Sequence, residues 1–151
     1  MGTSCWFGRG VLMAWKNSVF KKSSVVLDHN LMYWSGLDVA TQVQVSFVNV
    51  YAPSTPRDHG LLWARITAQC RSLNDMLFIG GDFNVVFSVK ERRGSTFYSS
   101  DADVFSDFMD SLGLVDICMA GSKFTWYGTW SKASRLDRFL VSPEVFSAYG
   151  R

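Results

Sequence analysis

The stretch MLFIGGDFN, from Met76 to Asn84, constrains the fold more than any other part of the chain. A short apolar run, Met76 to Ile79, stops at Gly80 and Gly81, the pattern of a buried strand reaching the edge of its sheet. Side chains two apart on extended backbone point the same way, so Asp82 and Asn84 share one face just past the strand end. Open α/β sheets build their sites at strand ends of this kind. That face is the first candidate for chemistry.

The 151 residues, 48% of them hydrophobic, suit one domain with a substantial core. An aromatic content of 15% against 19% charged residues excludes a disordered polar chain. The net charge of +2 is too mild to identify a nucleic-acid partner by electrostatics alone. Cys5, Cys70 and Cys118 are far apart and form no C-x-x-C pair, so neither a disulfide framework nor a zinc site is expected, and a reducing compartment is the default. The N-terminal segment MGTSCWFGRGVLMAW has its apolar stretch broken by Gly8-Arg9-Gly10, which argues against a signal peptide. Trp6 stands where a myristoylation signal needs Ser or Thr, and no stretch reaches the length of a membrane span. A nuclear or cytoplasmic location and no membrane partner follow as expectations.

The first half reads as strands: Gly10 to Lys16, Ser23 to Leu37 and Val43 to Ser54 are rich in β-branched and aromatic residues. Val43, Val45 and Phe47 alternate with Gln42, Gln44 and Ser46, which predicts a half-buried antiparallel sheet. Beyond Pro56, Leu61, Leu62, Arg65, Ile66, Ala68 and Cys70 fall near helical spacing and predict an amphipathic helix. A polar loop from Lys90 to Ser100 follows the buried strand. A second helix is expected from Asp101 or Asp103 to about Leu112, with Val104, Phe105, Phe108, Met109 and Leu112 as its stripe and Gly113 as its stop. Phe124 to Thr129 and Arg135 to Ser142 read as two more strands, and Ser142 to Arg151 as a last helical turn.

Three polar clusters end or interrupt apolar strands: Asn49 with Tyr51, Asp82 with Asn84, and Asp137 within SRLDRF. Each alone has an ordinary reading, as a strand end, an Asx-turn, and a surface pair between Arg135 and Asp137. Asp101, Asp103, Asp107 and Asp110 read as a solvated face near a helix start, and Lys90, Arg92 and Arg93 as a loop that is either solvated or in contact with phosphates. Trp126 reads as core; with Tyr127 and Trp130 the alternative is base stacking. His29, in a strand, and His59, before a helix, read as ordinary residues.

In their order, VNVYAPS (Val48 to Ser54), FIGGDFNVV (Phe78 to Val86), ERRG (Glu91 to Gly94), SKFTWYG (Ser122 to Gly128) and SRLDRFLVSPE (Ser134 to Glu144) resemble the endonuclease/exonuclease/phosphatase superfamily. The likeness is greatest to the endonuclease domains of plant non-LTR, LINE-type retrotransposons. It covers nearly the whole chain and implies an α/β fold, a four-layer α/β sandwich, with Mg²⁺-dependent hydrolysis of a phosphodiester in DNA. By the resemblance, Asp82 activates the attacking water and Asn84 binds phosphate. Tyr51 hydrogen-bonds the scissile phosphate, and Asp137 orients a phosphate-contacting histidine. Such roles are chemically coherent: a carboxylate takes a proton, neutral donors hold phosphoryl oxygens, and a cation offsets the growing charge.

The same resemblance places an Asn and a Mg²⁺-holding Glu upstream of the strand that GVLMAWK matches, and a histidine beyond Tyr149. The expectation is therefore a single, partial domain over residues 1–151, truncated at both ends, with terminal strands missing. The principal Glu ligand is absent, which leaves Asp82 as the candidate metal ligand. Activity is expected to be weak or lost, and unpaired strand edges make self-association an expectation. Two other functions stay open: a non-catalytic remnant that binds nucleic acid or protein, and a phosphatase of the same superfamily.

Overall fold

A computed structural model describes residues 2–8, 11–71, 74–117 and 119–149, with backbone alone at 3–8 and 11. The chain opens with strands β1 (Thr3–Gly8), β2 (Val11–Lys16), β3 (Phe20–Leu27), β4 (Leu31–Asp38) and β5 (Gln44–Tyr51). Helix α1 (Pro56–Cys70) leads to β6 (Met76–Asp82), a 3₁₀ turn at Val89–Glu91 and β7 (Arg92–Arg93). Helix α2 (Ser99–Ser111) precedes β8 (Val115–Asp116), β9 (Trp126–Tyr127), β10 (Ala133–Ser134), β11 (Asp137–Val141) and helix α3 (Pro143–Tyr149). Gly10, Cys118 and the side chains of Cys5 and Trp6 lie outside the described residues.

The central sheet has six strands in the order β3-β4-β5-β6-β11-β8. Only β5 and β6 run parallel, joined by α1 as the crossover, and the other neighbours are antiparallel. A parallel pair needs such a crossover, because a tight turn cannot return the chain to the same end of the sheet. Strands β1 and β2 form a separate hairpin, and β7, β10 and β9 a small three-stranded sheet. The expected α/β layering is present, with α1 and α2 on one face of the sheet and the β1–β2 hairpin on the other, where Tyr149 of α3 also meets Phe78.

Alternation along each strand divides the apolar residues between the two faces. On the helix face Val48, Val50, Leu77, Ile79 and Leu140 pack with Leu62, Trp63 and Ile66 of α1 and with Phe105 and Phe108 of α2. Trp63 lies 5.0 Å from Phe108 and 5.7 Å from Phe83, both stacked, so one indole joins both helices to the sheet end. On the other face Phe20, Met32, Trp34 and Val45 meet Met13 and Trp15 of the hairpin, with the Trp15 and Trp34 rings edge-on at 4.2 Å.

Burial on both faces corrects the half-buried sheet that alternation predicts. Ser46, one of the polar positions, is fully buried. Its hydroxyl donates to Asp75 Oδ2 at 2.6 Å and bonds the Tyr33 hydroxyl at 2.8 Å, which removes the penalty of burying it. Four other expectations change. Ser23 to Leu37 is two strands, split at Asp28–Asn30, where the Asp28 N–H donates to the Leu31 carbonyl. The segment before Gly10, read only for targeting signals, forms β1. The buried stripe of α1 is His59, Leu62, Trp63, Ile66 and Cys70, while Leu61 faces solvent because it falls outside the i, i+3, i+4, i+7 series from His59. On α2, Ala102 is buried and Val104 is exposed.

Gly113 ends α2 as expected, with φ +62 and its N–H donated to the Asp110 carbonyl at 3.1 Å. The buried Cys70 thiol is pushed up to about 12 by burial, with the Asp75 charge adding to it. No helix among the described residues is long and apolar enough to cross a membrane.

Candidate active site

Three strands bring three of the four sequence candidates to one level. Tyr51 at the end of β5 pairs in register with Asp82 at the end of β6, and Asp82 pairs with Asp137 at the start of β11. Residues directly opposite one another in a ladder present their side chains to the same face. One row below, Asn49, Gly80 and Phe139 are likewise in register. A Cβ on Gly80 would stand 3.1 Å from the Phe139 ring, so the small residue makes room for the aromatic one. A cleft of about 290 Å³ lined by Met13, Phe47, Asn49, Phe78, Gly80 and Phe139 lies directly under the Tyr51–Asp82–Asp137 row.

Gly81 makes the strand end possible. Its φ of +133° belongs to glycine, and a Cβ there would come within 2.0 Å of the Val50 carbonyl oxygen. Past it the ladder continues on loop backbone: Ala52 N–H donates to the Asp82 carbonyl at 2.8 Å and Phe83 N–H to the Leu136 carbonyl at 2.9 Å. Asn84 turns the chain with φ +50°, a left-handed conformation that Asn tolerates better than most residues. Its backbone N–H donates to Asp82 Oδ1 at 2.9 Å, the Asx-turn expected from the sequence, and its Nδ2 donates to the Ala52 carbonyl at 2.7 Å. Asn84 is thus tied both to Asp82 and to the loop that follows Tyr51.

Burial raises the Asp82 carboxyl above its ordinary value, the Asn84 N–H opposes this, and the neighbouring Asp137 charge raises it further. Tyr51 is 55% exposed and its hydroxyl has no partner among the described residues. The Asp137 carboxylate also makes no hydrogen bond there, while the Asp137 N–H donates to Thr125 Oγ1 at 2.9 Å. Neither histidine reaches Asp137. His59 is buried, with Nε2 donating to the Pro53 carbonyl at 2.8 Å and Nδ1 at 2.7 Å from Asp101 Oδ1. Asp101 therefore leaves the solvated face assigned to it, whereas Asp103, Asp107 and Asp110 are exposed. His29 sits in the β3–β4 turn rather than in a strand, beside Asn30, whose carbonyl and side-chain amide bond the Tyr51 backbone.

Other expectations change here. Arg135 pairs with Glu91 and Asp116, not with Asp137. Arg138, adjacent to Asp137, is fully buried on the helix side and bonds the same two carboxylates. No sequence signal marked this four-residue group. Arg92 and Arg93 are partly committed to protein carbonyls at Thr96 and Ser131. Trp126 is exposed, not core, and Tyr127 and Trp130 are 60% and 90% exposed.

For a divalent cation, Asp82 and Asp137 offer two carboxylates on one face beside a neutral amide and a phenol. No group of three or more His, Cys, Asp or Glu side chains gathers among the described residues. Hard oxygen donors of this kind suit Mg²⁺, which binds through one or two carboxylates and completes its shell with water and substrate phosphate. The like-charge strain on Asp82 is of the sign that a cation relieves.

Residues 6–150 match the model of the Endonuclease/Exonuclease/phosphatase family, and the chain belongs to that family. Its fold is similar to that of an AP endonuclease from Archaeoglobus fulgidus (TM-score 0.69, 14% identity, covering 96% of this chain and 68% of that one). It is also similar to the endonuclease domain of TRAS1, a telomere-specific non-LTR retrotransposon (TM-score 0.64, 17% identity, covering 97% of this chain and 70% of that one). In sequence the chain is 25% identical over 111 residues to an uncharacterized 149 kDa protein of transposon TX1 from Xenopus laevis, over 68% of this chain and 8% of that protein.

Proposed function

We propose that this domain is a DNA endonuclease of retroelement type, hydrolysing a phosphodiester with the help of Mg²⁺. The observation that carries the reading is the row Tyr51–Asp82–Asp137 on three adjacent strands, closed by Asn84. Asp82 is the general base: a carboxyl raised by burial and by Asp137 takes a proton from water better than an ordinary one. The unpartnered Tyr51 hydroxyl donates to a phosphate oxygen, and the Asn84 amide, held to the Ala52 carbonyl by one of its hydrogens, offers the other. Asp137, whose carboxylate makes no hydrogen bond among the described residues, would hold the metal ion, which when bound offsets the negative charge that builds on the phosphoryl group.

Exposed Trp126, Tyr127 and Trp130, with Lys123 and Arg93 near the Phe124 ring, favour a polymer of stacked bases over a small phosphate ester. The test is plasmid nicking by purified protein in Mg²⁺, beside Asp82→Asn and a chelated control. Nicking lost in both controls supports the reading. Salt-dependent DNA binding without cleavage replaces it with a binding role, and release of phosphate from small esters alone replaces it with a phosphatase.

A further inference from the structure

Behind the candidate site lies a largely buried group of two arginines and two carboxylates that none of the proposed chemistry uses. Arg138 is completely buried, its guanidinium 4.5 Å from the Phe87 ring centroid and 5.6 Å from that of Phe105. Its Nη2 donates to Glu91 Oε2 at 2.5 Å and its Nη1 to Asp116 Oδ2 at 2.7 Å. Arg135 donates to Glu91 Oε1 at 2.9 Å and to both Asp116 oxygens at 2.8 and 2.9 Å. Two positive and two negative charges cancel, as burial requires. Against burial, which acts the other way, the hydrogen bonds and charge of Arg138, the Phe87 N–H and Arg135 hold the Glu91 carboxyl below its ordinary value.

The two carboxylates are not equivalent. Asp116 sits on the edge strand β8, and among the described residues its side chain accepts hydrogen bonds from the two arginines alone. Glu91 also accepts the Phe87 N–H at 2.7 Å, and its own carbonyl accepts the Arg135 N–H at 2.9 Å. Phe87 closes the loop that begins at Asn84, while Arg138 follows Asp137 on β11 and Arg135 lies two residues before it, ahead of the strand. We infer that Glu91, through Arg138 and Arg135, is a positioning residue that sets the Asn84 loop against the Asp137 strand from behind. This inference rests on the nuclease reading for its catalytic consequence, but its structural part stands apart from activity.

The experiment compares Glu91→Gln with Asp116→Asn in the full chain. Each removes one buried carboxylate charge from the same group, so a merely structural role predicts parallel effects. Two readouts are taken on protein shown folded by circular dichroism: amide hydrogen exchange at Asn84 and Phe87, and nicking kinetics in Mg²⁺. Positioning predicts that E91Q speeds exchange at both amides by tenfold or more while D116N leaves them near wild type. It also predicts that E91Q lowers kcat by roughly 10- to 100-fold with KM within twofold, the scale for small misplacements of catalytic groups. Unchanged Asn84 exchange in E91Q, or equal effects of the two variants, overturns the inference. If wild type proves inactive, the nuclease reading fails and the exchange comparison still decides this one. Should E91Q not fold, Glu91→Asp keeps the charge but withdraws it by one methylene, and the same comparison applies.

Discussion

Asp82 and Asp137 stand directly opposite each other on β6 and β11, two carboxylates in one ladder row. Burial, with the Asp137 charge adding to it, raises Asp82 against the Asn84 N–H, so the folded chain binds its proton more tightly than the unfolded chain does. Stability therefore falls as pH rises from the ordinary carboxylate range through the raised value. Asp82→Asn removes that cost and keeps an acceptor for the Asn84 N–H. It is expected to gain about 1 kcal/mol or less at pH 7, a gain that vanishes below the ordinary value, while nicking drops by roughly 10²- to 10⁴-fold. Urea titrations of variant and wild type across pH check the first part; a gain over wild type no larger at pH 7 than at pH 3 contradicts it.

Gly81→Ala is expected to cost about 3 kcal/mol or more, because the new Cβ meets the Val50 carbonyl in a conformation already foreign to alanine. Gly121 is the control, since it too has positive φ, +105°, but nothing lies within 4 Å of an added Cβ. Gly121→Ala should cost only the backbone strain, about 1 kcal/mol. Denaturation midpoints of the two variants measure the difference, and equal losses would show that the clash is relieved by movement of β5.

His59 joins α1 to Asp101 on α2 and to the Pro53 carbonyl behind Tyr51. Replacing it by alanine leaves the Asp101 carboxylate and the Pro53 carbonyl without their ring partner in a buried place, at an expected cost of about 3–5 kcal/mol. Chemical denaturation of His59→Ala provides the check; a loss under 1 kcal/mol means that water takes the place of the ring.

Glu91 has the opposite sign to Asp82. Its lowered carboxyl contributes stability that is fully present above the ordinary value, about 4.3, and is lost as pH falls through the folded value. Wild type should lose stability steeply below about pH 4.3. Glu91→Gln, less stable at neutral pH, should show a shallower slope there. Parallel pH profiles for the two proteins would assign the acid sensitivity to other carboxylates.

Trp130 is 90% exposed at the tip between β9 and β10. Trp130→Ala should leave the melting midpoint unaltered, within about 0.5 kcal/mol, yet weaken DNA binding by about 1–3 kcal/mol if the ring stacks on a base. Fluorescence anisotropy with a labelled oligonucleotide separates the two effects, and unchanged affinity removes Trp130 from the interface.

The strand that ends at Gly80-Gly81, the helix after Pro56 and the placement of Tyr51, Asp82 and Asn84 near strand ends were all readable from local pattern. Asp137 is readable as a polar residue interrupting an apolar strand, and only the order of the motifs, through the family resemblance, gives it a role. The group behind the site was not, since Asp116 lies on a two-residue strand with no period to betray it, and Arg138 occupies a position that alternation alone does not mark as buried. Ion pairs between distant segments leave no spacing in the chain. Trp126 stays out of the core for a related reason: its strand is two residues long and pairs within the small sheet, so period two does not aim it at a core. Ser46 reads as polar surface until Tyr33 and Asp75 are known to wait for it.

Register, not loop length, places Asp137 beside Asp82, and this sorts the changes the chain can tolerate. Residues can be added or lost in the exposed loop at Met119–Gly121 without moving either carboxylate, because the β6–β11 hydrogen bonds hold the pair wherever that loop wanders. A single residue inserted between Arg138 and Phe139 does the reverse. With a side-chain period of two, it would exchange the faces of Asp137 and Arg138, aiming a guanidinium at the cleft and a lone carboxylate at Phe87 and Phe105.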